Sequence, residues 1–137
     1  MNFKYTIEGG DFSRAGHASS QVKKLLKQLN IDNQLIKRIV VALYEGEVNI
    51  VAHAQKGTID VNILPDQVNI KLTDEGPGIK DINLAMQEGY STASQKVREM
   101  GFGAGMGLPN MKKNADKLTI NSVPGSGTTV ELITFLQ

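Results

Sequence analysis

Apolar and polar residues alternate from Phe3 to Glu8, with Phe3, Tyr5 and Ile7 on one side and Lys4, Thr6 and Glu8 on the other. That two-residue period predicts a half-buried strand, ended by Gly9-Gly10. Ala15, Ala18, Val22, Leu25, Leu26 and Leu29 then recur at three- and four-residue steps with lysines between them. This pattern predicts an amphipathic helix, capped near Asp11 or Ser13, that buries a single stripe. After Asn30, Asp32 is placed to cap a second helix reaching about Ala54. Leu35, Ile36, Ile39, Val40, Val41, Leu43, Val48, Ile50 and Val51 cover most of its faces, so it is read as the central helix.

Thr58 to Leu64 and Val68 to Leu72 have strand character and are separated by Pro65-Asp66-Gln67, which predicts an antiparallel hairpin. Lys80 to Arg98 is polar apart from Ile82, Leu84, Ala85 and Met86, and is expected to be a mobile segment containing a short helix. Leu108 to Ala115 reads as a helix with Pro109 in its first turn, where the missing N–H is harmless. Lys117 to Val123 and Thr128 to Phe135 form a second predicted hairpin around Pro124-Gly125-Ser126-Gly127. The order strand, helix, helix, two strands, mobile segment, helix, two strands lacks the regular alternation of a doubly wound sheet. It predicts an α+β two-layer sandwich, a mostly antiparallel mixed sheet with helices on one face and solvent or a partner on the other.

The chain has 137 residues, no cysteine, a net charge of +1 and 40% hydrophobic residues, the profile of one compact domain spanning 1–137. That length is enough for a core without metals or disulfides. The absence of cysteine fits a reducing compartment. No leader pattern or membrane-length apolar run is present, which places the protein in the cytoplasm with no membrane partner. Fifteen basic against fourteen acidic residues, no Trp and 5% aromatics leave little field or stacking surface for nucleic acid.

Glycine departs from background: eight of the fourteen lie at Gly76 and Gly78, at Gly101, Gly103, Gly105 and Gly107, and at Gly125 and Gly127. Asp74-Glu75-Gly76-Pro77-Gly78-Ile79 follows a strand, so Asp74 sits at a strand end and can accept from an N–H-bearing group such as an adenine amino edge, while the glycines permit close approach. The alternate glycines before a helix allow backbone N–H groups to converge on phosphate. Glu45 and Asn49, at i and i+4, share a helix face within apolar surroundings. Each feature also has a plain reading: a turn, a ligand-free hinge, and a wet helix stripe, with Glu47 as a solvated neighbour. Two histidines, His17 and His53, and no cysteine argue against zinc or a thiol nucleophile, and Ser91 lacks the second glycine of a nucleophile elbow.

Taken in order, E-x-x-x-N on a helix, D-x-G-P-G after a strand, G-x-G-x-G-L before a helix and a late glycine-threonine pair resemble the nucleotide-binding boxes of the GHKL ATPase superfamily. Within it, A-L-Y-E-G-E-V-N, D-E-G-P-G-I, G-Y-S-T and G-A-G-M-G-L-P-N-M-K look most like the bacterial anti-sigma-factor and switch-protein serine kinases, over about Val40 to Val130. The resemblance implies the Bergerat, or histidine-kinase-like ATPase, fold and an ATP- and Mg²⁺-dependent protein-serine kinase. Its implied phosphoacceptor is a serine of a STAS-domain anti-sigma antagonist, and it leaves room for a sigma-factor partner and a homodimer.

Residue by residue, it implies Glu45 as general base, Asn49 as the Mg²⁺ ligand toward the ATP or ADP phosphates, and Asp74 on the adenine amino group with Gly76 and Gly78 beside the ring. Gly103, Gly105 and Gly107 would contribute backbone of a lid covering 80–103, and Thr129 would support the adenine end. Ala52 stands where many sensor histidine kinases carry lysine, which counts against that module. The stretch Ala93 to Phe102 is longer than in the shortest relatives, and contact of Lys96 or Arg98 with nucleotide is left open. The rival readings are a nucleotide-dependent module that sequesters a sigma factor or other regulator with little turnover, and an ATP-hydrolysing part of a larger machine.

Overall fold

Among the described residues, period-2 patterning yields five strands, β1 (Asn2–Glu8), β2 (Lys56–Ile63), β3 (Gln67–Asp74), β4 (Lys117–Val123) and β5 (Gly127–Phe135), paired in the order β1-β2-β3-β5-β4. A computed structural model of the chain describes residues 1–79, 82, 86, 87 and 107–136. All the strand pairings among these residues are antiparallel, so the expected sheet is present without a parallel pair in it. The alternation sends Ile59, Val61, Ile63, Val68, Ile70, Leu72, Val130 and Leu132 into the core. On the opposite face the register sets Lys4 against Asp60, Asp60 against Lys71 and Lys71 against Glu131. Opposite charges in neighbouring strands suit a face left to water.

Among the described residues, α1 (His17–Gln28), α2 (Asn33–His53) and α3 (Gly107–Lys113) cover the inner face. Asp32 caps α2 as its side-chain chemistry predicts, accepting from the N–H groups of Gln34 and Leu35 at 3.1 and 3.4 Å. Ile36, Ile39, Leu43, Ile50 and Val51 make α2 the central helix. Its Gly46 is required by packing: a Cβ there would lie 2.6 Å from Leu72 Cδ2 and 3.4 Å from Met111 Sδ. The small residue lets α2 settle onto β3 and α3 at once.

The start of α1 differs from the sequence expectation. Phe12–Arg14 forms a separate 3-10 turn, and α1 begins only at His17 with Gly16 as its N-cap at φ +93°. Asp11 accepts from Ser13 Oγ at 2.7 Å and caps nothing in α1. In the stretch expected to contain a short helix, the Met86 N–H donates to the Ile82 carbonyl at 3.0 Å. The remainder of the expected lid lies outside the described residues.

Candidate functional site

The candidate site runs along one side of α2. Glu45 and Asn49 are both half-buried there, and their i, i+4 spacing stacks them on one face. Glu45 meets the start of α3: its Oε1 accepts from Asn110 Nδ2 at 3.4 Å, and a Cβ built on Gly107 would stand 3.7 Å from its Oε2. Among the described residues no hydrogen bond occupies the Asn49 amide. A half-buried amide oxygen of this kind suits a hard cation that keeps several of its own waters, such as Mg²⁺. Glu45 is thus brought against Gly107, with Asn49 one turn along the same helix face, while Gly103, Gly105, Lys96 and Arg98 lie outside the described residues.

At the other end of α2, the loop after β3 is tied down by its backbone. The Gln55 N–H donates to the Glu75 carbonyl at 3.1 Å, and the Glu75 N–H donates to the Lys56 carbonyl at 2.9 Å. Gly76 is closely packed: a Cβ there would approach Ala54 Cα at 3.1 Å and Asp74 Oδ1 at 3.0 Å, so its neighbours would have to give by a few tenths of an ångström. From Glu45 to Ala54 the helix rises about 14 Å. One face of α2 therefore carries a carboxylate against α3 and an amide one turn further on, and the helix ends at the Asp74 loop.

Asp74 proves to be the last residue of β3, and the β4–β5 hairpin holds it in place. Its Oδ1 accepts from the Thr128 N–H at 3.2 Å. The Gly125 N–H donates to the Pro77 carbonyl at 2.7 Å, the Ile79 N–H to Ser122 Oγ at 2.7 Å, and the hydroxyls of Ser122 and Thr128 share a hydrogen bond at 2.8 Å. Gly78, at φ +74°, faces the Val123 carbonyl and Pro124 Cα, the latter 2.8 Å from a built Cβ, and a Cβ on Gly127 would collide with the Asp74 carbonyl. The first and third glycine clusters thus serve each other: they let the loop and the hairpin pack backbone to backbone.

Burial pushes the Asp74 carboxyl above its ordinary value, against the opposing pull of backbone N–H groups from Thr128 and Gly76. His53, further down α2, is shifted the other way, burial holding its imidazole below the ordinary value. Thr129 does not stand beside Asp74. It pairs with Thr73 on the outer face of the sheet, and the residue opposite Asp74 is Thr128, which is buried. Strand parity, which a one-residue difference reverses, separates the two.

Glu47 is the other correction. Expected to be solvated, it is completely buried. Its Oε2 accepts from the N–H groups of Gly16 and Ala18 at 3.0 and 3.2 Å, and its Oε1 accepts from the Ser19 N–H at 3.0 Å and Ser19 Oγ at 2.6 Å. A carboxylate of α2 thus caps the first turn of α1 across the helix interface, filling the role sought at Asp11 or Ser13. The one hint in the sequence is the absence of a capping side chain at Gly16. Two residues along a helix turn about 200°, so Glu47 anchors the back of α2 while Glu45 and Asn49 face the site.

Comparison with known proteins supplies the family. The family model for the histidine kinase-, DNA gyrase B-, and HSP90-like ATPase matches residues 32–137. The chain is 34% identical over 119 residues to the serine/threonine-protein kinase RsbT of Bacillus subtilis, covering 84% of each chain. It is 32% identical over 124 residues to the anti-sigma F factor of Caldanaerobacter subterraneus subsp. tengcongensis, covering 87% of this chain and 83% of that one. In fold it matches the crystal structure of the RsbU and RsbW domains of Rv1364c from Mycobacterium tuberculosis, with a TM-score of 0.67 at 17% identity over 98% of this chain and 32% of that longer one. A helix carrying Glu45 and Asn49, a strand-end Asp74 locked by a glycine-rich hairpin, and a family match that spans all of them lead to one conclusion: the chain belongs to the histidine kinase-, DNA gyrase B-, and HSP90-like ATPase family.

Proposed function

We propose that this chain is an ATP- and Mg²⁺-dependent protein-serine kinase of the anti-sigma or switch type, which binds and phosphorylates a STAS-domain antagonist. The observation that carries this reading is the pairing of Glu45 with Asn49 on one face of α2, with Glu45 set against the start of α3. Phosphoryl transfer asks a protein chiefly for positioning and charge neutralisation. Bound Mg²⁺ would supply charge neutralisation at the phosphates, held by the Asn49 amide oxygen. Asp74 accepts from the adenine amino group, with Gly76 and Gly78 beside the base and Gly103, Gly105 and Gly107 lending backbone N–H groups to the phosphates. Glu45 takes the proton of the incoming serine hydroxyl, directly or through one water. The proposal extends to a sigma factor as a second partner and to a homodimer. The kinase and anti-sigma F factor names of the relatives support both sides of this reading.

The test is calorimetric titration of ATP and ADP, with and without Mg²⁺, followed by transfer of labelled phosphate to a purified STAS-domain acceptor. Asn49→Ala and Asp74→Asn are each expected to weaken binding roughly ten- to a hundredfold, the equivalent of one lost hydrogen bond to a charged group. Asn49→Ala alone should also abolish the effect of Mg²⁺. Nucleotide binding that ignores both substitutions defeats the assignment.

Thr128 takes over from Thr129 the support of the adenine end, through its N–H on Asp74 and its hydroxyl on Ser122. Thr128→Val is expected to weaken binding, and Thr129→Val to leave it within about twofold, an energy difference near 0.4 kcal/mol. Equal effects of the two substitutions return the role to Thr129.

The raised Asp74 value makes affinity depend on pH. Accepting from adenine requires the carboxylate, so affinity is expected to fall as pH drops through a value above the ordinary 3.8, with no such inflection in Asp74→Asn. For stability the sign reverses. A native state that favours the protonated acid draws stabilisation from Asp74 below its unfolded value and loses it as pH rises through the folded one.

A further inference from the structure

The structure assigns a positioning role to Asn110, whose side-chain amide donates to the Glu45 carboxylate and sets the direction in which that base presents its free oxygen. This inference rests on the reading of Glu45 as the general base.

Asn110 lies in the middle of α3, three residues after Gly107 and one before the buried Met111. Met111 is fully buried and Leu108 and Pro109 are buried with it, so the helix is locked against α2 on its apolar side. The same docking leaves Asn110, half-buried, at the rim of the interface. Its Nδ2 reaches Glu45 Oε1 at 3.4 Å. Its backbone carbonyl accepts from Asn114 Nδ2 at 2.9 Å and from the Asn114 N–H at 3.1 Å. The residue is therefore held from its own helix and offers its amide outward to α2.

A glutamate on a helix surface has three rotatable side-chain bonds, and a base with that freedom is rarely aimed at a substrate. A donor to one carboxylate oxygen fixes the plane of the group and leaves the second oxygen, Oε2, toward Gly107. A donor on the facing helix also makes the aim of Glu45 depend on how α3 sits on α2. Small misplacements of a reacting group are costly in rate, so the loss of this donor is expected to cost turnover and to spare binding.

Asn110→Leu, which removes the donor, keeps the size and raises helix propensity, is expected to lower kcat for transfer from ATP to a STAS-domain acceptor about tenfold. The Kd for ATP and the KM for the acceptor should stay within twofold. Asn110→Gln, which keeps the donor on a longer stem, should restore most of the rate. In a Glu45→Ala background Asn110→Leu should cost nothing further, because a residue that acts through another has no effect once that residue is gone. A tenfold loss that persists in that background, or a raised KM with unchanged kcat, overturns the role.

A thermal-unfolding cycle on Glu45→Ala and Asn110→Ala reads the contact without any substrate. Single losses in melting temperature that sum to more than the double loss support it, and strict additivity overturns it. Should Glu45→Ala transfer phosphate at the wild-type rate, the kinase reading of Glu45 fails, and with it the catalytic consequence of Asn110. The unfolding cycle then still decides whether the contact exists.

Discussion

Glu45→Ala is expected to cut phosphoryl transfer to a STAS-domain acceptor by about 10²- to 10⁴-fold, the usual worth of a positioned general base. Binding of ATP and ADP should stay within a few-fold of wild type, because the proposed function gives adenine recognition to Asp74 and the phosphates to Asn49 and the glycine backbone. The site separates these functions in space: Glu45 meets α3, whereas Asp74 is fixed by Thr128 and the β4–β5 hairpin beyond the C-terminal end of α2. Alanine preserves the helix, so a folding defect is not expected to imitate the result. The decisive measurement is single-turnover transfer at saturating ATP beside calorimetric Kd values. Transfer at the wild-type rate would remove Glu45 from the chemistry.

A second large effect is expected at a residue that touches neither nucleotide nor acceptor. Glu47→Ala strips the cap from α1 and leaves three backbone N–H groups and the Ser19 hydroxyl without their acceptor at a fully buried position. Buried donors left unsatisfied cost about 1–3 kcal/mol each before relaxation, and inward-moving water recovers part of that. A net loss of about 3 kcal/mol is expected, roughly 10 °C in Tm for a chain of this size. Glu47→Gln keeps one acceptor oxygen but turns an NH₂ toward N–H donors, so it should fall between the two. Urea denaturation measures both, and a Glu47→Ala protein within 0.5 kcal/mol of wild type, the range of an ordinary surface substitution, would show that the cap carries no weight. Retained ATP binding in folded Glu47→Ala would also separate the cap from the face carrying Glu45 and Asn49.

These two glutamates mark how far the sequence could be read. Glu45 and Asn49 were legible because a helix places residues four apart on one face, whatever the rest of the chain does. Asp32 as a cap and the β4–β5 turn were legible for the same reason: a side chain that bonds its own backbone and a tight glycine turn are short-range chemistry. Glu47 was misread because its partners, Gly16, Ala18 and Ser19, lie about thirty residues away. In the sequence it is one more carboxylate beside Glu45, with nothing local to say that it is buried. Asp11 and Ser13 satisfy the local capping rule, but a distant carboxylate does the capping.

The choice between Thr128 and Thr129 has the same origin. Both are β-branched residues of one strand, and only the register against β3 decides which shares a face with Asp74. Gly76 and Gly78 read in the sequence as points of ligand approach and Gly125 and Gly127 as a hairpin turn, whereas the nearest neighbours of Gly78 and Gly127 belong to the facing hairpin and loop. Local pattern thus determined the elements, the two-layer α+β architecture, the central helix and the three candidate boxes, because period, capping and turn chemistry act over a few residues. Tertiary structure alone decided that Glu47 is a buried cap, that Thr128 is the residue beside Asp74 and that Asn110 faces Glu45. Each of those depends on which distant segments pack together, and close packing and backbone register are properties of the folded chain as a whole.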